Sequence, residues 1–379
     1  MPEAETQALP LDALPRRAAV TAPGRAAIRF GAHALSYRDL DAAVDGFAAA
    51  LAGRRPGTVV GVTAALHPAF PVAYFGTVRA GHTCAVVDPG ADLDALIERA
   101  GIELLVATAG MADRLRRIRV ERDLDVLYLD QPGEHGGRTV AALARTPARR
   151  RKATIDLDAV ACLRFDAQGR PIPLSHRNLT VGAAQAAQAY GFEPGSTVVN
   201  HLPTYEQVYL NAAVHAAATQ VLCADPDPAG GVTLAGREEA THYCGLPAPL
   251  AKLAADPRDT HPRTTTVRAV LASGATLPPA AALRLATRVG APLVQWYGPA
   301  GGPLTHCDRL DGPTAGSVGR PVPGTDCHVL APPGKPGQVK VRGPQVATAM
   351  TDPDGWLRTG DVGYLDEAGA LFLTQGVTA

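Results

Sequence analysis

Between residues 36 and 165 short apolar runs alternate with segments of helical period, a rhythm that confines the chain to folds in which helices cross between parallel strands. Residues 36–52 predict an amphipathic helix, because Ser36 and Asp39 stand in a capping relation and Leu40, Val44, Phe47, Ala48 and Leu51 recur at helical spacing. Gly53 and Pro56 close it. Residues 58–64 predict a strand, 69–80 a helix stopped by Gly81, and 83–87 a buried strand ending at Asp88-Pro89. Further strands are predicted at 102–108, 126–129 and 159–165. From Gly316 the texture changes to short strands split by Pro and Gly, as in Pro321-Val322-Pro323-Gly324, which predicts a small, mainly β lobe. The expected division is a first α/β subdomain over 1–158, a second over 159–315, and a small β-rich lobe over 316–379.

Composition narrows the function classes. With 36 basic and 36 acidic side chains and a pI near 7.2, the chain has no excess positive field to draw it to nucleic acid or an anionic membrane, so neither is an expected partner. The six cysteines (Cys84, Cys162, Cys223, Cys244, Cys307, Cys327) lack CxxC spacing, which argues against a zinc cluster or a disulfide scaffold and fits a reduced cytoplasm. No signal-like start and no long apolar run point to a membrane. Only four lysines occur (Lys152, Lys252, Lys335, Lys340), so any lysine chemistry must use one of them. The run Arg149-Arg150-Arg151-Lys152 has no interleaved aromatics and reads as a solvated connector. Cys244, and Cys307 beside His306, read as buried cysteines rather than nucleophiles, and His201, His215 and His242 show no metal-ligand spacing. Neither a GxGxxG after a strand nor a GxSxG elbow is present.

Several segments, in order, resemble the adenylate-forming superfamily of acyl-CoA synthetases, peptide-synthetase adenylation domains and luciferases. They are Leu174-Ser175-His176-Arg177-Asn178-Leu179, Ala272-Ser273-Gly274-Ala275-Thr276-Leu277, Trp296-Tyr297-Gly298, Gly316-Ser317-Val318-Gly319-Arg320-Pro321-Val322-Pro323-Gly324, Gly337-Gln338-Val339-Lys340-Val341-Arg342-Gly343-Pro344, and Gly355-Trp356-Leu357-Arg358-Thr359-Gly360-Asp361. The likeness runs from about Ala27 to the last residue. It implies an α/β fold, the large N-terminal domain of an acyl-CoA synthetase-like protein, with helices sandwiching mostly parallel sheets and a small β-rich lobe ending at the hinge. The family's C-terminal domain and its lysine find no counterpart in the sequence. By the resemblance, Ser273, Gly274 and Ala275 form the adenine-side loop, Tyr297 and Gly298 flank adenine, and Asp361 accepts hydrogen bonds from the ribose hydroxyls.

Other family positions have lost their chemistry. Adenylation joins a carboxylate to the α-phosphate of ATP, so the site must hold the triphosphate and neutralise charge developing on it. The family does this with a Gly/Ser/Thr-rich loop and a lysine. Here the corresponding stretch runs from Arg164 through Asp166, Gly169 and Arg170 to Pro171, without the hydroxyls and without the Lys-Gly pair. Gly301 stands where the family has its Mg²⁺-carrying glutamate, and His176 reads as a helix-start residue. Glu206, in Leu202-Pro203-Thr204-Tyr205-Glu206, replaces the histidine at the mouth of the acid pocket; buried without a cation it would have a raised pKa. The leading expectation is an acyl-CoA synthetase-like protein impaired in adenylation, binding an acyl or aryl molecule and meeting a carrier protein or an intact ligase. The alternatives are an atypical acid ligase completed in trans, with Arg164 or Arg170 on phosphate, and an ATP-independent enzyme using Glu206 as its catalytic residue. AMP or ATP stays open as a ligand, Mg²⁺ is disfavoured, and Asp361 is expected to be replaceable with little effect on folding.

Overall fold

The computed structural model describes residues 8–121, 124–132, 137–148, 155–256, 264–274 and 276–375, so the basic run at 149–152 lies outside it. The chain opens with α1 (Ala13–Thr21), the hairpin β1 (Ala26–Phe30) and β2 (His33–Ser36), and α2 (Tyr37–Leu51). Ser36 caps α2, its hydroxyl accepting the Asp39 N–H at 3.1 Å. The predicted βαβ rhythm follows as β3 (Val59–Thr63), α3 (Ala69–Arg79), β4 (Thr83–Val87), α4 (Leu93–Ala100), β5 (Ile102–Ala107), α5 (Ala112–Glu121), β6 (Asp125–Tyr128), α6 (Val140–Leu143), β7 (Val160–Phe165) and β8 (Pro171–Ser175). These strands form a six-stranded sheet in the order β6-β5-β3-β4-β7-β8, parallel except for the β7–β8 hairpin.

The chain then runs through α7 (His176–Tyr190), β9 (Thr197–His201), α8 (Gln207–His215), β10 (Thr219–Leu222), α9 (Pro228–Arg237), β11 (His242–Gly245), α10 (Pro247–Ala255), β12 (Ala269–Ser273), α11 (Pro279–Val289), β13 (Leu293–Tyr297), β14 (His306–Cys307) and β15 (Arg320–Pro321). Their strands belong to a nine-stranded sheet in the order β15-β14-β13-β12-β11-β9-β10-β1-β2. The last four strands, β16 (Asp326–Leu330), β17 (Gly337–Arg342), β18 (Leu357–Leu365) and β19 (Leu371–Gln375), form an antiparallel sheet of their own, the expected β-rich lobe.

Sheet membership crosses the expected division near residue 158. The β1–β2 hairpin, which the sequence reading does not single out, joins the nine-stranded sheet through parallel pairing of β1 with β10, while β7 and β8 complete the six-stranded one. Parallel partners are chosen by crossover connections, so sequence proximity does not predict them. One core spans both sheets, reaching from Val60 and Val62 to Ile28 and Leu222. Within it α3 is buried from Phe70 to Val78, as a helix apolar on every face must be. Its last residue, Arg79, enters the interior only with partners: Asp41 at 2.7 Å, Asp45 at 2.9 Å and Asp12 at 3.3 Å. The β lobe is sewn to the nine-stranded sheet by Val318 N–H to Leu371 O and Leu371 N–H to Gly319 O, each 2.9 Å.

Candidate functional site

The segment joining β9 to α8 leaves its own sheet and reaches the other. Tyr205 N–H donates to Ala64 O at 2.9 Å just beyond β3, and Thr204 forms an isolated antiparallel bridge with Ala65. Between this crossing, the ends of β3 and β4, α4 and the β7–β8 turn lies a cleft of about 520 Å³. Asp88, Phe165, Tyr205 and Glu206 are among its walls. Glu206 is half-buried and is also the N-cap of α8, where its Oε1 accepts the Val208 N–H at 3.4 Å. Glu206 thus lines the cleft while its carboxylate answers one of the helix's unpaired donors.

The stretch expected to be a degenerate phosphate loop is a closed hairpin turn. A phosphate-cradling loop leaves its N–H groups to the ligand. Here the N–H groups of Gln168 and Arg170 donate to Asp166 Oδ1 at 2.9 and 2.8 Å, and that of Gly169 donates to the Asp166 carbonyl at 2.8 Å. The Arg170 guanidinium is spent on Asp166 Oδ2 at 2.6 Å. Burial alone would push the Asp166 carboxyl up, but the Arg170 N–H, the Arg170 guanidinium and the Gln168 N–H together hold it below the usual carboxylate range. Ile172 and Pro173 lie in β8 opposite Arg164 and Leu163, so no lysine follows the turn. The four residues grouped by the sequence also part company: Asp166, Gly169 and Arg170 build the turn, whereas Arg164 sits on β7 and faces α7 and α8.

The nucleoside-side residues are gathered, but into a packed pair. Ser273 ends β12 half-buried, Gly274 follows with φ +93°, and Ala275 lies outside the described residues. The Tyr297 hydroxyl donates to Asp361 Oδ2 at 2.5 Å, and the two residues are 4% and 1% exposed. Tyr297 packs in the lobe core with Val318, Val339 and Leu371. Burial, then the Asp361 charge, drive its phenol far above the ordinary range. The expectation that Asp361 can be replaced without touching the fold is therefore corrected: its carboxylate is an interior partner of β13. Gly298 must be glycine, since a Cβ there would lie 2.4 Å from Pro303 O. A Cβ on Gly301 would lie 2.9 Å from Met350 Sδ and 3.2 Å from Leu357 Cδ2, so an acidic metal ligand fits there only if Met350 moves. Among the described residues no three His, Cys, Asp or Glu side chains are grouped to hold a cation.

The remaining singled-out side chains do structural work. His176 opens α7 and its Nδ1 accepts the Leu11 N–H at 3.0 Å, which ties down the segment before α1. His201 is held between the Tyr243 hydroxyl and the Asp225 carbonyl. Cys244 and Cys307 are buried, and burial pushes both thiols up, away from nucleophilic use. Sequence reading missed the Tyr297–Asp361 bond and the inward course of Arg164. The first joins residues 64 apart and leaves no local signal; the second is hinted at only by strand alternation with Cys162. Among the described residues no helix is long and apolar enough to cross a membrane.

The sequence matches the model of the AMP-binding enzyme family over residues 15–349. A feruloyl-CoA synthase of Amycolatopsis is 28% identical over 403 residues, which cover 95% of this chain and 77% of that one. A long-chain-fatty-acid–CoA ligase of Bacillus subtilis is 28% identical over 228 residues, 54% of this chain, and the matched part spans 41% of the ligase's length. Among solved structures, apo MbtA of Mycobacterium smegmatis superposes with a TM-score of 0.85 at 26% identity, covering 99% of this chain and 77% of its own. Apo MatB of Rhodopseudomonas palustris gives 0.84 at 24% identity, covering 97% and 78%, and shares the fold.

Proposed function

Because this chain belongs to the AMP-binding enzyme family, and is acyl-CoA ligase-like within it, we propose that it binds an acyl or aryl small molecule in the cleft below Glu206 but is impaired in ATP-dependent adenylation of it. In this reading the protein serves a biosynthetic pathway by presenting that ligand to a carrier protein or an intact ligase. One observation carries the proposal: the N–H groups of Gln168, Gly169 and Arg170 are consumed by Asp166, and Arg170 with them. A triphosphate approaching this turn meets a carboxylate instead of free donors.

AMP, if it binds, does so at least as well as ATP, because the nucleoside-side residues persist while the phosphate contacts do not. Mg²⁺ adds nothing, for Gly301 offers no oxygen beyond a carbonyl already taken by the Ala347 N–H at 2.7 Å. The test is ATP–pyrophosphate exchange with ferulate, long-chain fatty acids and benzoate, run beside a competent ligase. Loss of a single transition-state donor costs about 100-fold or more, so exchange at least about 100-fold below the ligase is expected. Exchange at a comparable rate with any of these acids overturns the reading.

A further inference from the structure

Arg164 is a cation that its surroundings leave unanswered. It follows Cys162 by two residues on β7, so its side chain leaves the sheet on the same face, toward α7 and α8. Two spaces meet at it: the cleft of about 520 Å³, and behind it a chamber of about 10 Å³ walled also by Leu179, Ala183, Gln207 and Asn211. Arg164 and Gln207 line both. Among the described residues the Arg164 guanidinium makes no hydrogen bond or ion pair, and the carboxylate two residues along the chain, Asp166, is taken by Arg170.

The interior behind Arg164 confirms how deep its charge reaches. Burial pushes the Cys162 thiol up to about 12 and the Tyr74 phenol well up, and the Arg164 charge works against both shifts. Asn211, only 3% exposed, donates from Nδ2 to the Tyr74 hydroxyl at 3.2 Å and leaves Oδ1 without a partner. A half-buried guanidinium and a fully buried amide oxygen, both unsatisfied at one chamber, are costly to keep unless a ligand completes them.

We propose that Arg164 is the residue that holds the carboxylate of the ligand in this cleft, and that the ligand is a small organic acid with one carboxylate and an apolar or aryl body. The guanidinium fork matches a carboxylate, and the chamber has room for about one water to link that group to Asn211 Oδ1. Phosphate shares the oxyanion chemistry. A polyphosphate, however, would meet Asp88, Asp92 and Glu206 around the same cleft with Arg99 as a further cation, and a single carboxylate bears less of that repulsion. The proposal rests on the cleft being an acyl or aryl site; it does not depend on whether adenylation is impaired.

Calorimetry on the full chain tests it with ferulate, benzoate and decanoate, the neutral amide of ferulate, and inorganic pyrophosphate. At least one of the acids is expected to bind, Arg164→Gln to weaken that acid at least about tenfold, and the neutral amide to distinguish little between the two proteins. Arg164→Lys keeps the charge but loses the fork, so it is expected to fall between them. Arg164→Met is expected to raise the melting temperature of the ligand-free protein, since it removes an uncompensated charge. If Arg164→Gln binds the acid as the parent does, the assignment is overturned while the cleft remains an acid site. Pyrophosphate binding through Arg164 with no acid bound assigns the residue to phosphate and overturns it as well. Failure of all three acids to bind the parent removes the cleft reading and this assignment together, whereas pyrophosphate exchange alone touches only the proposed impairment.

Discussion

Two carboxylates, Asp361 and Asp166, are built into the molecule in opposite ways. Asp361 meets Tyr297 across 64 residues of sequence, inside the core of the β lobe. Asp166 meets only residues up to four positions away, in a hairpin turn whose Arg170 side chain is 71% exposed. The long-range carboxylate is part of the tertiary fold. The local one ties a turn to its own neighbours, although its side chain is only 11% exposed and Arg99 of α4 donates to the carbonyl of Gln168 in the same turn. Packing thus fixes the long-range carboxylate in the interior, while the local one answers only to its own turn.

The largest effect is expected at the stitch that places the β lobe behind Tyr297. Gly319 has φ +88°, and a Cβ there would lie 2.0 Å from the Cys307 carbonyl carbon. Gly319→Ala should cost at least about 3 kcal/mol, read as a lowered denaturation midpoint with loss of Tyr297 burial by near-ultraviolet dichroism. A neutral result would mean that the lobe is not locked to β14 and would dissolve the contrast.

The next tests strike the pair itself. Asp361→Ala should cost about 2–3 kcal/mol, because it strands a buried phenol, and Tyr297→Phe about 1–2 kcal/mol. The corresponding Asp166→Asn change should cost only about 0.5–1 kcal/mol, since its partners are largely solvated. Urea titration of the three variants checks the order. Equal costs at Asp361 and Asp166 would break the comparison.

Acidity separates the regions further. His306, fully buried beside Tyr297, has its pKa lowered to about 3 by burial, so it stays neutral in the fold while the unfolded chain takes up a proton near 6.5. The unfolded state then binds more protons, and stability falls as pH drops from 6.5 toward 3, by at most about 1.4 kcal/mol per pH unit for one group. His306→Asn should make that limb shallower in denaturation midpoints taken from pH 7 to 4, the remaining slope coming from His215 and His242, which burial also lowers to about 4. Asp166 acts lower. Its depressed pKa gives stability that is present above the carboxyl's ordinary 3.8 and is lost as pH falls through the folded value, so parent and Asp166→Asn should converge only there. Convergence already at pH 6 would contradict the turn geometry.

Much of this molecule is legible in its sequence, for reasons that are local. The βαβ rhythm from 59 to 107, the Ser36 cap, the Gly81 stop and the Pro/Gly-split lobe follow from periodicity and backbone preference, which neighbouring residues determine among themselves. The absence of hydroxyls and lysine between Arg164 and Pro173 is likewise plain, because it is a matter of which side chains are present. What those side chains do was decided by the tertiary fold. No local pattern says that β1 will pair with β10, that Tyr297 will bond Asp361, or that Arg164 will turn inward while Arg170, six residues later, closes on Asp166. Those outcomes depend on crossovers and on which polar groups are left facing one another once two sheets share a core, and that arrangement exists only in three dimensions.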